Sequence, residues 1–171
     1  MGITGEERAL RAVLGAGFDG DEMVDLFDLA LETGMRRGEL LGIIRAEVFH
    51  AGRLWRNEKL HHKGEQHGHE RTVILSPRAV EIVRKRMKGS ADGDRLFSLN
   101  GQDARSCFRK ACQLAGVRGL RFHDLRHEGI SRFAEAGMSL GELKAQSGHK
   151  TTAMLGRYVI ARESEIARKL G

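Results

Sequence analysis

Apolar residues recur at intervals of three and four along most of the chain, the spacing of a helix that buries one face. One such series predicts a helix that ends near residue 32; its members are Met23, Leu26, Phe27 and Ala30. A short helix is expected through Glu39 and Leu41. Similar series, bounded by capping residues and glycines, predict helices over residues 4–14, 77–87, 102–114, 125–136, 140–146, 151–158 and 162–170.

The segment between Val48 and Leu75 departs from this spacing. Apolar pairs at residues 48–49 and 54–55 flank a glycine and predict two strands about a turn, and residues 71–75 predict a third strand. The polar residues 61–70 are expected to form a loop. The predicted fold class is therefore mainly α with a small antiparallel β-sheet (α+β). A chain of 171 residues without internal repeats predicts one domain over residues 1–171.

Composition excludes several classes of protein. Hydrophobic residues make up 40% of the chain and charged residues 30%, a balance typical of globular domains. No apolar run approaches the roughly 20 residues needed to cross a bilayer. The first residues also lack the pattern of a signal peptide. We therefore expect a cytoplasmic protein without a membrane partner.

The net charge of +6 favours a polyanionic partner such as a nucleic acid, although a basic protein without such a partner has the same composition. The basic run Arg84, Lys85 and Arg86, followed by Lys88, leaves a similar choice open. These side chains either contact backbone phosphates or form a solvated helix face.

A set of remote residues matches the needs of chemistry on a phosphodiester. Cleavage without a metal needs fixed cations at the nonbridging oxygens, and arginine offers a permanent charge with donors matched to phosphate geometry. It also needs a nucleophile and groups that move protons. The chain offers Arg36, then His123 and Arg126 one helical turn apart, then His149, and then Tyr158, its only tyrosine.

These residues carry a resemblance to a known family. Residues 33–40 (TGMRRGEL) resemble the first arginine box of the tyrosine recombinases, or phage integrases. Residues 123–127 (HDLRH), residues 147–149 (SGH) and Tyr158 are similar to the second box in order and spacing. Residues 71–75 resemble the strand that follows the catalytic β-hairpin. The resemblance implies the catalytic-domain fold of that family.

The resemblance also implies a reaction. Arg36 and Arg126 would clamp the scissile phosphate, and His123 and His149 would hydrogen-bond it. Tyr158 would attack phosphorus to give a 3′-phosphotyrosine and a free 5′-hydroxyl, with His123 serving in proton transfer. Attack by a hydroxyl from a partner strand would complete a site-specific recombination. The bond energy stays in the phosphotyrosine, so neither a cofactor nor a metal is expected.

Further roles follow from the same resemblance. Glu39 would support the site from behind, and His127 would be structural or supporting. Lys63 resembles the hairpin lysine that acts as general acid for the leaving 5′-oxygen, with Lys59 as the alternative. Zinc binding is the weaker explanation for the histidines of the polar loop, because their spacing matches no zinc motif; they are His61, His62, His67 and His69.

Two departures from the family pattern keep alternatives open. Ser147 stands where the family has leucine, and Glu128 follows His127 where a small residue is common. One alternative is an inactive DNA-binding module of the same fold, which the Glu128 carboxylate near an anionic substrate would favour. The other is an enzyme that relaxes DNA strands, similar to type IB topoisomerases, because it would use the same residues.

The expected partners are double-stranded DNA and other copies of this chain, as a homo-oligomer (tetramer) assembled on DNA in the nucleoid. Residues 162–171 are a candidate exchange helix between subunits, with Ile166 and Leu170 on its apolar face. We expect no separate N-terminal DNA-clamping domain within residues 1–171.

Overall fold

The structure is a computed structural model that describes residues 4–17, 20–49, 54–57 and 71–158. The prediction of a mainly helical chain is confirmed. The α-helices are α1 Thr4–Gly15, α2 Gly20–Thr33, α3 Arg37–Gly42, α4 Pro77–Met87, α5 Gly101–Leu114, α6 Phe122–Glu135 and α7 Leu140–Ser147. Two 3₁₀ helices cover Arg45–Glu47 and Thr152–Tyr158. Within the described ranges, no helix has the length and apolar composition needed to span a membrane.

Three short strands form one sheet in the order β1 Val48–Phe49, β2 Leu54–Asn57 and β3 Arg71–Ile74. The central strand pairs antiparallel with both neighbours, so that Trp55 lies opposite Val48 on one side and Val73 on the other. Trp55 and Val73 are fully buried, whereas Ile74 is exposed, as expected for a sheet that packs by one face. The Trp55 indole also donates to Glu47 Oε2 at 3.2 Å.

Helix ends follow local chemistry, which corrects two predicted boundaries. Helix α6 begins at Phe122 rather than at residue 125, because the backbone N–H of Arg121 donates to the Asp124 carboxylate at 2.8 Å. His123 therefore lies in the first turn of α6. The segment before Tyr158 is a 3₁₀ helix from Thr152. At the end of α7, Gly148 adopts φ 66°, the left-handed cap expected for a glycine there.

The apolar core has two parts. The larger part joins α1 to α6 with the sheet, and its aromatic centre stacks Phe27 on Phe108, with Phe122 edge-on to Phe108 at 5.4 Å between ring centroids. The smaller part consists of Ile130, Leu143 and Leu155, with Tyr158 packed against it. This small cluster holds the 3₁₀ helix that carries Tyr158 against α6 and α7.

Helix α7 is also attached to the sheet through polar contacts. The side-chain amide of Gln146 donates to the carbonyl oxygen of Ile74 at 2.8 Å and accepts from its N–H at 3.1 Å. Both backbone groups of a strand residue are thus satisfied by one side chain. The contact sets the position of the α7 end, where Ser147 and Gly148 follow.

Ion pairs on α2 resolve the role of the basic run on α4. Asp25 on α2 is buried and binds Lys85 at 3.0 Å and Arg86 at 2.7 Å. Asp28, also buried, binds Arg11 at 2.7 Å and Arg78 at 3.3 Å. Lys85 and Arg86 therefore hold α4 to α2, which argues against a purely solvated face and against phosphate contacts by these two side chains.

The crossing of α2 and α6 is close because of Gly129. A Cβ atom at this position would lie 2.4 Å from the carbonyl oxygen of Leu31, which is backbone and has no freedom to rotate away. We expect Gly129→Ala to destabilise the fold by about 1–3 kcal/mol through overpacking. Urea unfolding followed by circular dichroism measures this change.

Gly141→Ala on α7 is the matched control, because a Cβ there would meet only Ser139 Oγ at an ordinary 3.9 Å. This control should be neutral or stabilising, since alanine is the better helix former. Equal unfolding midpoints for Gly129→Ala and the unsubstituted chain would contradict the close crossing.

Candidate functional site

Arg126 is a buried cation held by backbone carbonyls. Its side chain leaves α6 and donates from Nη1 to the carbonyl oxygen of Gly34 at 2.6 Å and from Nη2 to that of Ser147 at 2.8 Å. Gly34 ends α2 with φ 62°, a conformation that favours glycine. Both of these acceptors are neutral, so they fix the guanidinium without cancelling its charge. Such a group is suited to binding an anion.

Arg36 is positioned by Glu39. Arg36 lies directly before α3, and its backbone N–H donates to Glu39 Oε2 at 2.7 Å, while its Nη1 donates to Oε1 at 3.1 Å. Glu39 is 5% exposed, whereas the Arg36 side chain is 36% exposed. A buried carboxylate therefore fixes both the start of the helix and the orientation of an accessible guanidinium. The supporting role that the resemblance implied for Glu39 stays a prediction, for which this contact supplies a physical basis.

His149 is buried beside Arg126 and Ser147. Its Nδ1 lies 2.6 Å from Ser147 Oγ and 3.4 Å from Arg126 Nη2. Ser147 Oγ also donates to the carbonyl oxygen of Leu143 at 2.5 Å. Ser147 Oγ thus links the backbone of α7 to the His149 ring. Ser147, where leucine was expected, thus positions the buried His149 ring through a polar contact.

His123, His127 and Tyr158 form a row of rings. His123 and His127 are one turn apart on α6, with ring centroids 4.9 Å apart and planes nearly perpendicular. The Tyr158 hydroxyl contacts Nδ1 of His127, and these two rings stack at 6.1 Å. Sequence reasoning assigned proton transfer with Tyr158 to His123; the structure brings the hydroxyl to His127.

Arg157 completes this row, and sequence reasoning missed it. Its guanidinium carbon lies 5.0 Å from the centre of the Tyr158 ring, and Nη2 lies 3.3 Å from His127 Nδ1. Its place next to Tyr158 in the sequence is the only available signal, because one exposed arginine in a basic chain does not stand out.

Both histidines of α6 are held neutral. Partial burial and the nearby Arg126 lower the pKa of His123. Partial burial, Arg157 and His123 lower the pKa of His127. Both imidazoles are therefore uncharged at neutral pH in the isolated protein, and each has one nitrogen able to accept a proton.

Glu128 does not face the row of rings with an uncompensated charge. Its carboxylate binds Arg132 Nε at 2.9 Å, and Arg132 also contacts the buried Glu7 of α1. Glu7 in turn binds Arg11 at 3.1 Å. Alternating charges along α6 and α1 thus satisfy Glu128, which removes one argument for an inactive module.

Other predicted residues lie outside the described ranges. Among them are Lys63 and its alternative Lys59, the histidines of the polar loop, and residues 162–171. Within the part of the chain that is described, no group of three or more histidine, cysteine or acidic side chains is arranged to hold a metal ion.

Comparisons with known proteins bear on the family and the fold of this chain. Residues 21–165 match the model of the phage integrase family. The chain is 37% identical to the shufflon-specific DNA recombinase of Escherichia coli over 146 residues, which cover 85% of this chain and 36% of that protein. The chain thus spans about a third of the length of that curated relative.

Solved structures show the same fold. The catalytic domain of bacteriophage HP1 integrase superimposes with a TM-score of 0.72 at 24% identity, covering 96% of this chain and 90% of that one. The Tn1549 transposon integrase in complex with a circular intermediate DNA has a TM-score of 0.75 at 17% identity, covering 95% and 62%.

The first prediction from the site concerns Ser147. Ser147→Ala removes the contact with His149 Nδ1 in a fully buried place, and losing such a buried hydrogen bond costs about 0.5–1.5 kcal/mol. Ser131→Ala is the matched control, because Ser131 Oγ also donates to the carbonyl four residues earlier, that of His127, but has no histidine on its other side. Urea unfolding of both variants should show the larger loss for Ser147→Ala, and equal losses would exclude the bond.

The second prediction concerns pH. Because folding lowers the pKa of His123 and His127, the unfolded chain binds more protons than the folded one just below pH 6.5. Their contribution to stability is complete above pH 6.5 and is lost as the pH falls through the folded pKa values. Urea unfolding between pH 7.5 and 5.5 should therefore show a declining free energy of unfolding. The decline should be smaller in the double variant His123→Gln, His127→Gln, and an unchanged slope would refute this origin.

Proposed function

This chain belongs to the phage integrase family, and we propose that it cuts and rejoins DNA at specific sites through a phosphotyrosine bond to Tyr158. One observation carries the proposal. Helix α6 brings Arg126 against His149 and His127 against Tyr158, so a fixed cation, two imidazoles and a phenolic hydroxyl lie along one helix. This grouping supports the proposal, because phosphodiester cleavage without a metal needs a fixed cation, a nucleophile and groups that move protons.

In the proposed reaction, the scissile phosphate binds between Arg36 and Arg126, whose permanent charges stabilise the charge that develops on the nonbridging oxygens. Two backbone carbonyls hold Arg126, and Glu39 holds Arg36, so neither guanidinium has to reorganise during the reaction. His123 and His149 contact the same phosphate. Tyr158 attacks phosphorus and leaves a 5′-hydroxyl, and Lys63, or Lys59 in its place, protonates the leaving oxygen.

Double-stranded DNA is the proposed partner. The names of the relatives support it, since one is a shufflon-specific DNA recombinase and another is an integrase in complex with a circular intermediate DNA. We further propose that residues 1–171 act as a catalytic domain, that copies of the chain assemble as a tetramer on DNA through residues 162–171, and that the protein works at the nucleoid.

The decisive experiment selects the DNA site and traps the covalent bond in one step. The full chain is incubated with a pool of nicked duplexes of random sequence, in which cleavage near the nick releases a short strand and leaves the protein attached. The mixture is denatured in detergent, and protein-linked DNA is captured and sequenced. We expect one enriched sequence, and no adduct at all with Tyr158→Phe, because this substitution removes only the attacking oxygen.

Neighbouring arginines supply a matched pair for the same assay. Arg36→Ala should slow adduct formation by about 10²–10³-fold, the usual effect of removing one donor to a developing oxyanion. Arg37→Ala removes the same charge one residue later and should weaken only salt-dependent DNA binding. Equal losses in the two variants would mean that Arg36 contributes general charge and not catalysis.

The same substrates separate the alternatives. Relaxation of supercoiled DNA without exchange between two copies of the enriched site would favour a topoisomerase-like enzyme. DNA binding with no adduct from any sequence would favour an inactive module and refute the proposed reaction.

A further inference from the structure

The nearest ring nitrogen to the proposed nucleophile is Nδ1 of His127. The Tyr158 hydroxyl contacts this atom, and the two rings are inclined by only 23°. Tyr158 is half-buried against the Ile130, Leu143 and Leu155 cluster, which restrains its ring. His127 comes from α6 and Tyr158 from the 3₁₀ helix, so the contact joins the two elements that carry the proposed reaction.

The protonation of His127 follows from its second neighbour. Arg157 Nη2 lies 3.3 Å from the same Nδ1, and a guanidinium has donors but no acceptor. If Nδ1 carried a proton, that proton would point at the N–H of Arg157, and two donors would face each other. Nδ1 must carry the lone pair, the ring proton lies on Nε2, and the Tyr158 hydroxyl is the donor in the contact with His127.

We propose that His127 holds the Tyr158 hydroxyl and accepts its proton during cleavage, a role that rests on the function proposed above. As the phenolic oxygen bonds to phosphorus, its O–H bond breaks and the proton passes to Nδ1, giving an imidazolium. The bond from phosphorus to the 5′-oxygen breaks, and that oxygen takes a proton from the proposed general acid, Lys63 or Lys59. When a 5′-hydroxyl attacks the phosphotyrosine, His127 returns the proton to the phenolate.

The charges around His127 suit this role. The groups that face it come from α6, from the 3₁₀ helix and from the wall of the adjacent cavity; they are His123, Asp124, Arg126, Glu128, Arg157, Tyr158, Glu6 and Arg118. Before DNA binds, partial burial and Arg157 keep the ring neutral and ready to accept a proton. A bound phosphodiester adds a negative charge close by, which stabilises the imidazolium as it forms.

This assignment separates the two histidines of α6. His123 is more exposed than His127 and lies edge-on to it, with no Tyr158 contact among the described interactions. His123 is therefore placed to meet an incoming phosphate, and His127 is placed to serve the nucleophile. The two tasks need different protonation behaviour, since one ring donates to an anion and the other accepts from a phenol.

The contact can be tested without DNA because Tyr158 is the only tyrosine in the chain. Growth on 3-fluorotyrosine places a single fluorine in the 171-residue chain, and its ¹⁹F resonance is followed from pH 4.5 to 8. We expect a one-proton curve with a midpoint below 6.5, which disappears in His127→Asn and persists in His123→Asn and Ser131→Ala. A curve unchanged by His127→Asn would overturn the contact.

Proton transfer is tested with the enriched nicked duplex under single turnover. Asparagine places an acceptor near the position of Nδ1 but takes up no proton, so His127→Asn should bind DNA normally and cleave about 10²–10⁴-fold more slowly. The native rate should fall as the pH drops through the His127 midpoint, and that fall should be absent in the variant. Added imidazole should partly restore cleavage by His127→Ala.

Ser131→Ala, one turn further along α6, should cleave at the native rate. A native cleavage rate and pH profile in His127→Asn would overturn the proton-acceptor role. So would slow cleavage by His127→Ala that imidazole does not restore and that is explained by weaker DNA binding. If the native chain forms no adduct, the proposed function and proton transfer fail together. The fluorine titration then decides separately whether His127 holds Tyr158.

Discussion

The arrangement of the site depends on burying one guanidinium. Arg126 is 3% exposed, and its two carbonyl partners belong to segments that are far apart in sequence, the end of α2 and the end of α7. A buried charge that loses such partners is costly, so both segments must close on α6 for the domain to be stable. The same closure brings the turn that carries Arg36 and the segment that carries His149 to one place. Stability and the geometry of the proposed chemistry therefore rest on the same bonds.

Charge compensation elsewhere in the domain separates the cations that hold helices together from those of the candidate site. The acidic face of α2 binds Arg11, Arg78, Lys85 and Arg86, and Arg132 binds Glu128 and Glu7. In contrast, the carbonyls that hold Arg126 are neutral, and the single carboxylate that holds Arg36 leaves that guanidinium accessible. The net charge of the sequence does not distinguish these two groups, because the distinction depends on which carboxylates fold against which cations.

Departures from the family pattern acquire physical explanations in the folded chain. Ser147 replaces an apolar residue in a fully buried place, yet its hydroxyl contacts both the Leu143 carbonyl and His149 Nδ1. Glu128 looks unsuited to an anionic substrate in the sequence, but its carboxylate is neutralised by Arg132 within the same helix. Both residues thus fit a domain that acts on a phosphodiester.

The sequence by itself determined the helical character, most element positions and the residues of the two motifs, because these depend on local periodicity, capping and the order of residues along the chain. It misplaced the start of α6 by three residues, since a side-chain bond from Asp124 extends the helix beyond its apolar pattern. The partner of Tyr158 was decided only by the tertiary structure. The sequence resemblance paired Tyr158 with His123, whereas the packing of the 3₁₀ helix on Ile130, Leu143 and Leu155 brings the hydroxyl to His127, one turn further along α6. Packing decides which atoms of remote segments come into contact, and the spacing of residues along the sequence does not predict these contacts.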